Sequence, residues 1–270
     1  MIFRKLAHLM PSPYPKASAE YTLHDIQGDV HDASQEIDPR ENYVRISQDT
    51  TAFKLGEHWT VAGATGAGKT VFCSELMEQY RRKFPHAHRY IANTTADPQL
   101  EDVIGAKIHV GNSLPPKPQP HETCVWTPDT DDMNAYNEWL LKLLYMREEA
   151  VILLDDIASL VGYGRTISIL DGHMKLMKQG RKHGITVING TQEMTRVPLM
   201  MFRQMTHFVQ LRLSNDPIDL AYARKYLNIP KEEQIPPHSD YGFFYKRVGV
   251  KFPMEEYDSY TQFFHKRKRS

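Results

Sequence analysis

Residues Gly63-Ala64-Thr65-Gly66-Ala67-Gly68-Lys69-Thr70 fit the pattern G-x-x-x-x-G-K-[ST]. This stretch restricts the fold more than any other, because it works only between a strand and a helix. Glycines let the backbone curl until successive N–H groups face the same phosphate oxygens. The helix that follows aims the positive end of its dipole at those phosphates. Lys69 can reach the β- and γ-phosphates, and Thr70 can set its hydroxyl on Mg²⁺. ATP and Mg²⁺ are therefore the expected ligands, held by Gly63, Ala64, Thr65, Gly66, Ala67, Gly68, Lys69, Thr70 and the adjoining Val71. The flanks agree. His58 to Ala62 is β-branched and apolar, a strand, and Thr70 to Phe84 reads as a helix with Pro85 just past its end.

From Ala52 onward strands and helices alternate, which predicts an α/β domain: a mostly parallel central sheet with helices on both faces. Arg89 to Asn93 is the second strand, and Asn93 to Pro98 a loop at its C-terminal end. Prolines 115, 116, 118 and 120 force an extended excursion. Thr123 to Trp126 is a short strand, and Asp129 to Glu149 a helix whose Tyr136, Trp139, Leu140, Leu143 and Leu144 make a packing stripe. Next comes Val151-Ile152-Leu153-Leu154-Asp155-Asp156. Four successive apolar residues suit a strand buried on both faces, and ligands bind at the C-terminal edge of such sheets. As a Walker B pair, Asp155 would hold Mg²⁺ through water and Asp156 would polarise the attacking water. The alternative is a capping pair of acids.

Ser159 to Arg165 reads as a loop, with Gly162 and Gly164 around Tyr163, and Thr166 to Lys182 as a basic helix stopped by Gly184. Ile185 to Gly190 is another buried strand, and Gln192 at its tip can hydrogen-bond the γ-phosphate or the attacking water. Beyond it a short helix runs from Pro198 through Arg203, a strand covers Thr206 to Leu213, and a helix covers Pro217 to Leu227. Tyr241 to Lys246, with Val248 to Phe252, suggests a hairpin.

The 33 basic and 33 acidic residues cancel, so only local charge can bear on nucleic acid. The tail His265-Lys266-Arg267-Lys268-Arg269 either touches DNA phosphates or acts as a solubilising end. Cys73 and Cys124 lack metal or redox spacing and read as reduced core thiols of a cytosolic protein. No apolar run approaches the roughly 18 residues of a membrane span. The boundaries expected are an arm at 1–50 (irregular, with a few short strands, or a flexible tail), the ATPase domain at 51–252 and a basic tail at 253–270.

Taken in order, Gly63 to Thr70, Val151 to Asp156, Gly180-Arg181-Lys182-His183-Gly184-Ile185 and Thr191-Gln192 resemble the FtsK–HerA superfamily of RecA-like DNA-pumping ATPases. Within it, the Thr-Gln, the Trp-Thr-Pro before the long helix and the short chain resemble the genome-packaging ATPases of membrane-containing double-jelly-roll viruses. The resemblance covers about residues 52–250 and implies a RecA-like core. It also implies a homo-oligomeric ring, a hexamer, with double-stranded DNA in its channel and capsid or portal-vertex proteins as partners. Its place would be the host cytoplasm or the virion vertex. An arginine from one subunit would reach the γ-phosphate on the next. Arg181 matches the family's position and is the first choice, with Arg203 second; Arg181 can instead be a charge offsetting a helix dipole. The family usually has Glu where this chain has Asp156, one methylene shorter. That departure permits a second reading, an ATP-binding scaffold that barely hydrolyses. A third, a membrane-associated export or filamentous-phage assembly ATPase of the Zot type, uses the same phosphate chemistry and is disfavoured by the missing membrane span.

Overall fold

The computed structural model describes residues 53–128, 133–160, 170–212, 217–227, 242–248 and 255–257. The expected arm at 1–50, the Gly162–Gly164 loop and the basic run at 265–269 lie outside them, whereas residues 255–257 of the expected tail are described. Nine strands form one sheet: β1 Trp59–Ala62, β2 His88–Ala92, β3 Ala106–Val110, β4 Thr123–Thr127, β5 Ala150–Leu154, β6 Ile185–Thr191, β7 His207–Gln210, β8 Phe243–Arg247 and β9 Glu255–Tyr257. Their order is β3-β4-β2-β5-β6-β1-β7-β8-β9. The pairings from β3 to β7 are all parallel, and β8 and β9 add on antiparallel. Six helices accompany them among the described residues: α1 Lys69–Lys83, α2 Pro98–Glu101, α3 Met133–Met146, α4 Asp171–Gln179, α5 Leu199–Phe202 and α6 Pro217–Leu227.

The two faces of the sheet carry two cores. Along β5, Ala150, Ile152 and Leu154 join one with Trp139 and Leu140 of α3 and Leu176 and Met177 of α4. Val151 and Leu153 point the other way, onto Phe72, Cys73, Leu76 and Tyr80 of α1. This two-sided burial is why β5 is apolar without alternation. Cys73 and Cys124 are buried and free, as read from their spacing.

Several boundaries move. The strand expected at Val248 to Phe252 lies, beyond Val248, outside the described residues; β8 pairs with β9, Phe243 opposite Tyr257, so the sheet reaches past residue 252. The long helix ends at Met146, where Arg147 turns out at φ 54°. The basic helix closes as a 3-10 turn, Gly180–His183, before Gly184 in the left-handed region. Strand β3 escaped the sequence reading because it is an edge strand: Ile108 and Val110 are exposed, leaving no buried periodicity.

A set of buried histidines ties the base of the sheet together. His58 donates from Nε2 to the Met177 carbonyl at 2.9 Å and accepts the Val187 N–H on Nδ1 at 3.1 Å. Both nitrogens are thus used by the neutral ring. His173 donates to Asn189 at 3.0 Å. Burial holds both imidazoles down to about 4. Unfolded, each titrates near 6.5. Below that pH the unfolded chain binds protons that the folded chain refuses, so stability falls from pH 6.5 towards 4. For the pair, we expect about 4 kcal/mol less stability at pH 5 than at pH 8, about 10 °C in melting temperature. Thermal unfolding followed by circular dichroism across that range measures it.

Candidate functional site

Strand β1 ends at Ala62, and the chain enters the glycine-rich loop at 63–70 at once. Gly63 N–H donates to the Thr191 carbonyl at 3.2 Å and Ala64 N–H to the Arg212 carbonyl at 2.9 Å, so the loop is seated between β6 and β7. Gly66 and Gly68 take φ 73° and 86°, which L side chains rarely adopt, and Gly68 is the N-cap of α1. The N–H groups at the start of α1 lack helical partners, as at any helix N-terminus, which makes this end suited to an anion.

Lys69 folds over this loop. Its Nζ donates to the carbonyls of Gly63 at 2.8 Å and Ala64 at 3.1 Å. Burial pushes the ammonium below its ordinary range, while Asp156 and Asp155 pull it back up. The two acids that follow β5 and the lysine of the loop therefore share one electrostatic neighbourhood. Burial also raises both carboxyls above the usual carboxylate range. Asp155 is restrained by a 2.5 Å hydrogen bond from Thr95 Oγ1. Asp156 accepts the Ala158 N–H at 3.1 Å and interacts with the Gln192 backbone, which ties it to the tip of β6.

The close fit of β5 and β6 here has a specific cause. A Cβ on Gly190 would stand 2.1 Å from the Asp155 carbonyl oxygen, so only glycine lets the strands approach at the acids. Just beyond, Gln192 Oε1 accepts from Thr65 Oγ1 at 2.8 Å. The glutamine read as a phosphate sensor thus touches the phosphate loop itself. With Gln192 acting on the reacting phosphate, as its place at the tip of β6 predicts, Gln192→Ala is expected to cut turnover about 10-fold to 100-fold. ATP affinity should change less than about threefold, because the loop loses one side-chain hydrogen bond while its amides and Lys69 stay in place. Steady-state phosphate release against ATP concentration separates the two.

Three side chains at this edge were not singled out from sequence. Thr95 and Asp97 come from the loop after β2, the strand next to β5. Thr70 Oγ1 donates to Asp97 Oδ2 at 3.0 Å. Arg212, at the end of β7, donates from Nη2 to the Thr65 carbonyl at 3.2 Å, placing a guanidinium beside the loop. The only available signal was position: polar residues just past strands flanking the motif-bearing strands.

Arg181 and Arg203 lie elsewhere. Arg181 precedes β6, and its carbonyl is close enough to Gly56, ahead of β1, that a Cβ there would approach to 2.6 Å. Arg203 caps the C-terminal end of α5, before β7, with Nη1 4.0 Å from the Met200 sulfur. Both are at the N-terminal edge of the parallel strands, opposite the phosphate loop.

No protein-family model and no curated protein sequence matches the chain. Its fold is similar to solved structures. The DNA-packaging ATPase B204 of Sulfolobus turreted icosahedral virus aligns over 77% of this chain and 99% of its own, with TM-score 0.57 and 13% identity. The genome-packaging NTPase B204 of Sulfolobus turreted icosahedral virus 2, in complex with ATP-γS, gives 0.61 and 12% over 77% of this chain and 99% of that one. The cytoplasmic domain of the type VII secretion ATPase EccC from Thermomonospora curvata gives 0.54 and 13%, over 76% of this chain but 25% of that one. The chain therefore carries the RecA-like α/β P-loop fold found in these packaging and secretion ATPases.

Proposed function

We propose that the chain hydrolyses ATP to drive DNA translocation, and that it serves as a viral genome-packaging motor. The observation that carries the ATPase reading is the Thr65–Gln192 hydrogen bond, which joins loop and sensor beside two acids that act on Lys69. The packaging reading rests on extent: the alignment takes in nearly all of the B204 chain but a quarter of EccC. Among the described residues no helix is long and apolar enough to cross a membrane.

In this mechanism the loop amides and Lys69 bind the phosphates, Lys69 giving up its carbonyl partners for phosphate oxygens. Asp156 holds a water in line with the γ-phosphate, with Gln192 beside it. The side chain of Asp156, one methylene shorter than Glu and anchored by Ala158 and the Gln192 backbone, acts through a water shifted towards it. The Thr70 hydroxyl and Asp155 carboxylate are oxygen donors suited to a hard cation such as Mg²⁺. Among the described residues no three His, Cys, Asp or Glu side chains form a cage, so phosphate and water would complete the shell. Mg²⁺ there would neutralise charge developing on the phosphates.

The motor is a ring of identical subunits, a hexamer, with DNA in its channel. Arg181, or failing that Arg203, reaches the neighbour's γ-phosphate; a site at the far edge of its own sheet suits a residue that works in trans. Its partners are capsid or portal-vertex proteins, at the virion vertex or in the host cytoplasm. DNA contacts go mainly to phosphates, as a packaging motor must accept any sequence. Phosphate release with and without double-stranded DNA tests the reading. DNA should stimulate turnover severalfold; ATP binding with no stimulated turnover would instead support the scaffold. A membrane-associated export ATPase is the other reading, favoured by the similarity to EccC, and recovery with membranes rather than capsids would support it.

A further inference from the structure

The hydroxyl of the phosphate loop is held by a carboxylate from outside both nucleotide motifs. Thr70 Oγ1 carries one proton, and that proton goes to Asp97 Oδ2. A hydroxyl whose proton is committed has its lone pairs aimed the other way, available to a cation. Left free, the same rotor would turn among several partners.

Asp97 is itself fixed on every side. Its Oδ1 accepts the Gln99 N–H at 2.9 Å as the N-cap of α2. Its own N–H donates to Asn93 Oδ1 at 2.8 Å, and its carbonyl accepts Asn93 Nδ2 at 3.0 Å. Asn93 is fully buried, and its N–H is paired with the Trp126 carbonyl at 2.7 Å. Between the clamp and the carboxylate, Ala96 takes φ 52°, a left-handed conformation that a non-glycine residue adopts only where its surroundings impose it. The loop thus presents Asp97 to Thr70 in one orientation, while Thr95 of the same loop restrains Asp155.

We infer that Asp97 is a positioning residue of the cation site: by taking the Thr70 proton it turns the hydroxyl oxygen towards the metal that accompanies the nucleotide. The inference rests on the ATP–Mg²⁺ reading proposed above. Thr95, which restrains Asp155, sits two residues away in the same loop, so a Thr70→Val background is what separates this role from that of the Walker B acids.

The test uses the full chain, with Mn²⁺ as a paramagnetic stand-in for Mg²⁺ and ADP as the nucleotide. Free Mn²⁺ is read by electron paramagnetic resonance, and metal-free nucleotide affinity by a fluorescent ADP in EDTA. Asp97→Ala should weaken Mn²⁺ binding to the ADP complex about 10-fold to 100-fold, the range typical of lost outer-shell partners. Affinity in EDTA should stay within about twofold. Asp97→Asn, which keeps an oxygen acceptor and a cap, should recover most of the loss. In a Thr70→Val background, Asp97→Ala should add less than about twofold, because the proton it would accept is gone. Equal losses with and without metal, or a full extra loss in the Thr70→Val background, would overturn the inference. A wild-type chain that binds ADP only in the absence of metal sinks it as well. A wild-type chain that binds no nucleotide at all overturns the ATP reading, and the inference with it.

Discussion

Lys69→Ala is expected to lower phosphate release by at least about 1,000-fold, the cost of removing a principal donor to the developing phosphate charge. The loss should appear in kcat and kcat/KM together, because the ammonium counts most where charge accumulates. Folding should survive. Lys69 contributes two hydrogen bonds to the loop carbonyls of buried Gly63 and half-buried Ala64, a small part of what anchors the loop. A stability loss of about 1 kcal/mol follows. Measured side by side, a near-normal melting temperature with abolished turnover assigns the effect to chemistry. Retained turnover would contradict the loop assignment.

Gly190→Ala should have the largest effect on the fold itself. A methyl group placed 2.1 Å from the Asp155 carbonyl oxygen cannot be absorbed by a side-chain rotation, because the obstacle is backbone. Strands β5 and β6 must part at the point where both carry site residues. Overpacking of this kind costs about 3 kcal/mol. The displaced acids should also lose about 100-fold in turnover, since a shift of about 1 Å is enough. Urea unfolding gives the first quantity and phosphate release the second. The comparison with Lys69→Ala is informative: one variant loses activity alone, the other loses both. A Gly190→Ala protein of normal stability would mean the strands are further apart at Asp155 than described.

The parts of this architecture that were legible in the sequence are those written in local spacing. The glycines and lysine of the loop, the apolar run before Asp155 and the glutamine after β6 each sit in one contiguous stretch. The unbroken apolar run of β5 also announced a strand covered on both faces, which the two cores confirm. Other features depend on which strands lie side by side, and spacing does not carry that. Thr95 and Asp97 belong to the site only because β2 packs beside β5, and Arg212 only because β7 packs beside β1. Gly190 could have been noticed as a glycine inside a buried strand, a mark of close backbone approach. The buried histidines His58, His173 and His207 were passed over because a lone histidine in an apolar stretch has no sequence signature of its partners. In His207 those partners are Glu57 at 2.8 Å and Tyr245 at 2.9 Å, from opposite ends of the domain's sequence.

The central claim is that one pocket, walled by the loop at 63–70 and the ends of β5 and β6, seats a nucleoside triphosphate. A crystal structure with a non-hydrolysable ATP analogue and Mg²⁺ tests it most directly. The account predicts phosphate density against the amides of Gly66 to Thr70, with Lys69 Nζ released from the Gly63 and Ala64 carbonyls and bound to phosphate oxygen. Nucleotide bound at another surface, with Lys69 still folded onto those carbonyls, would contradict it.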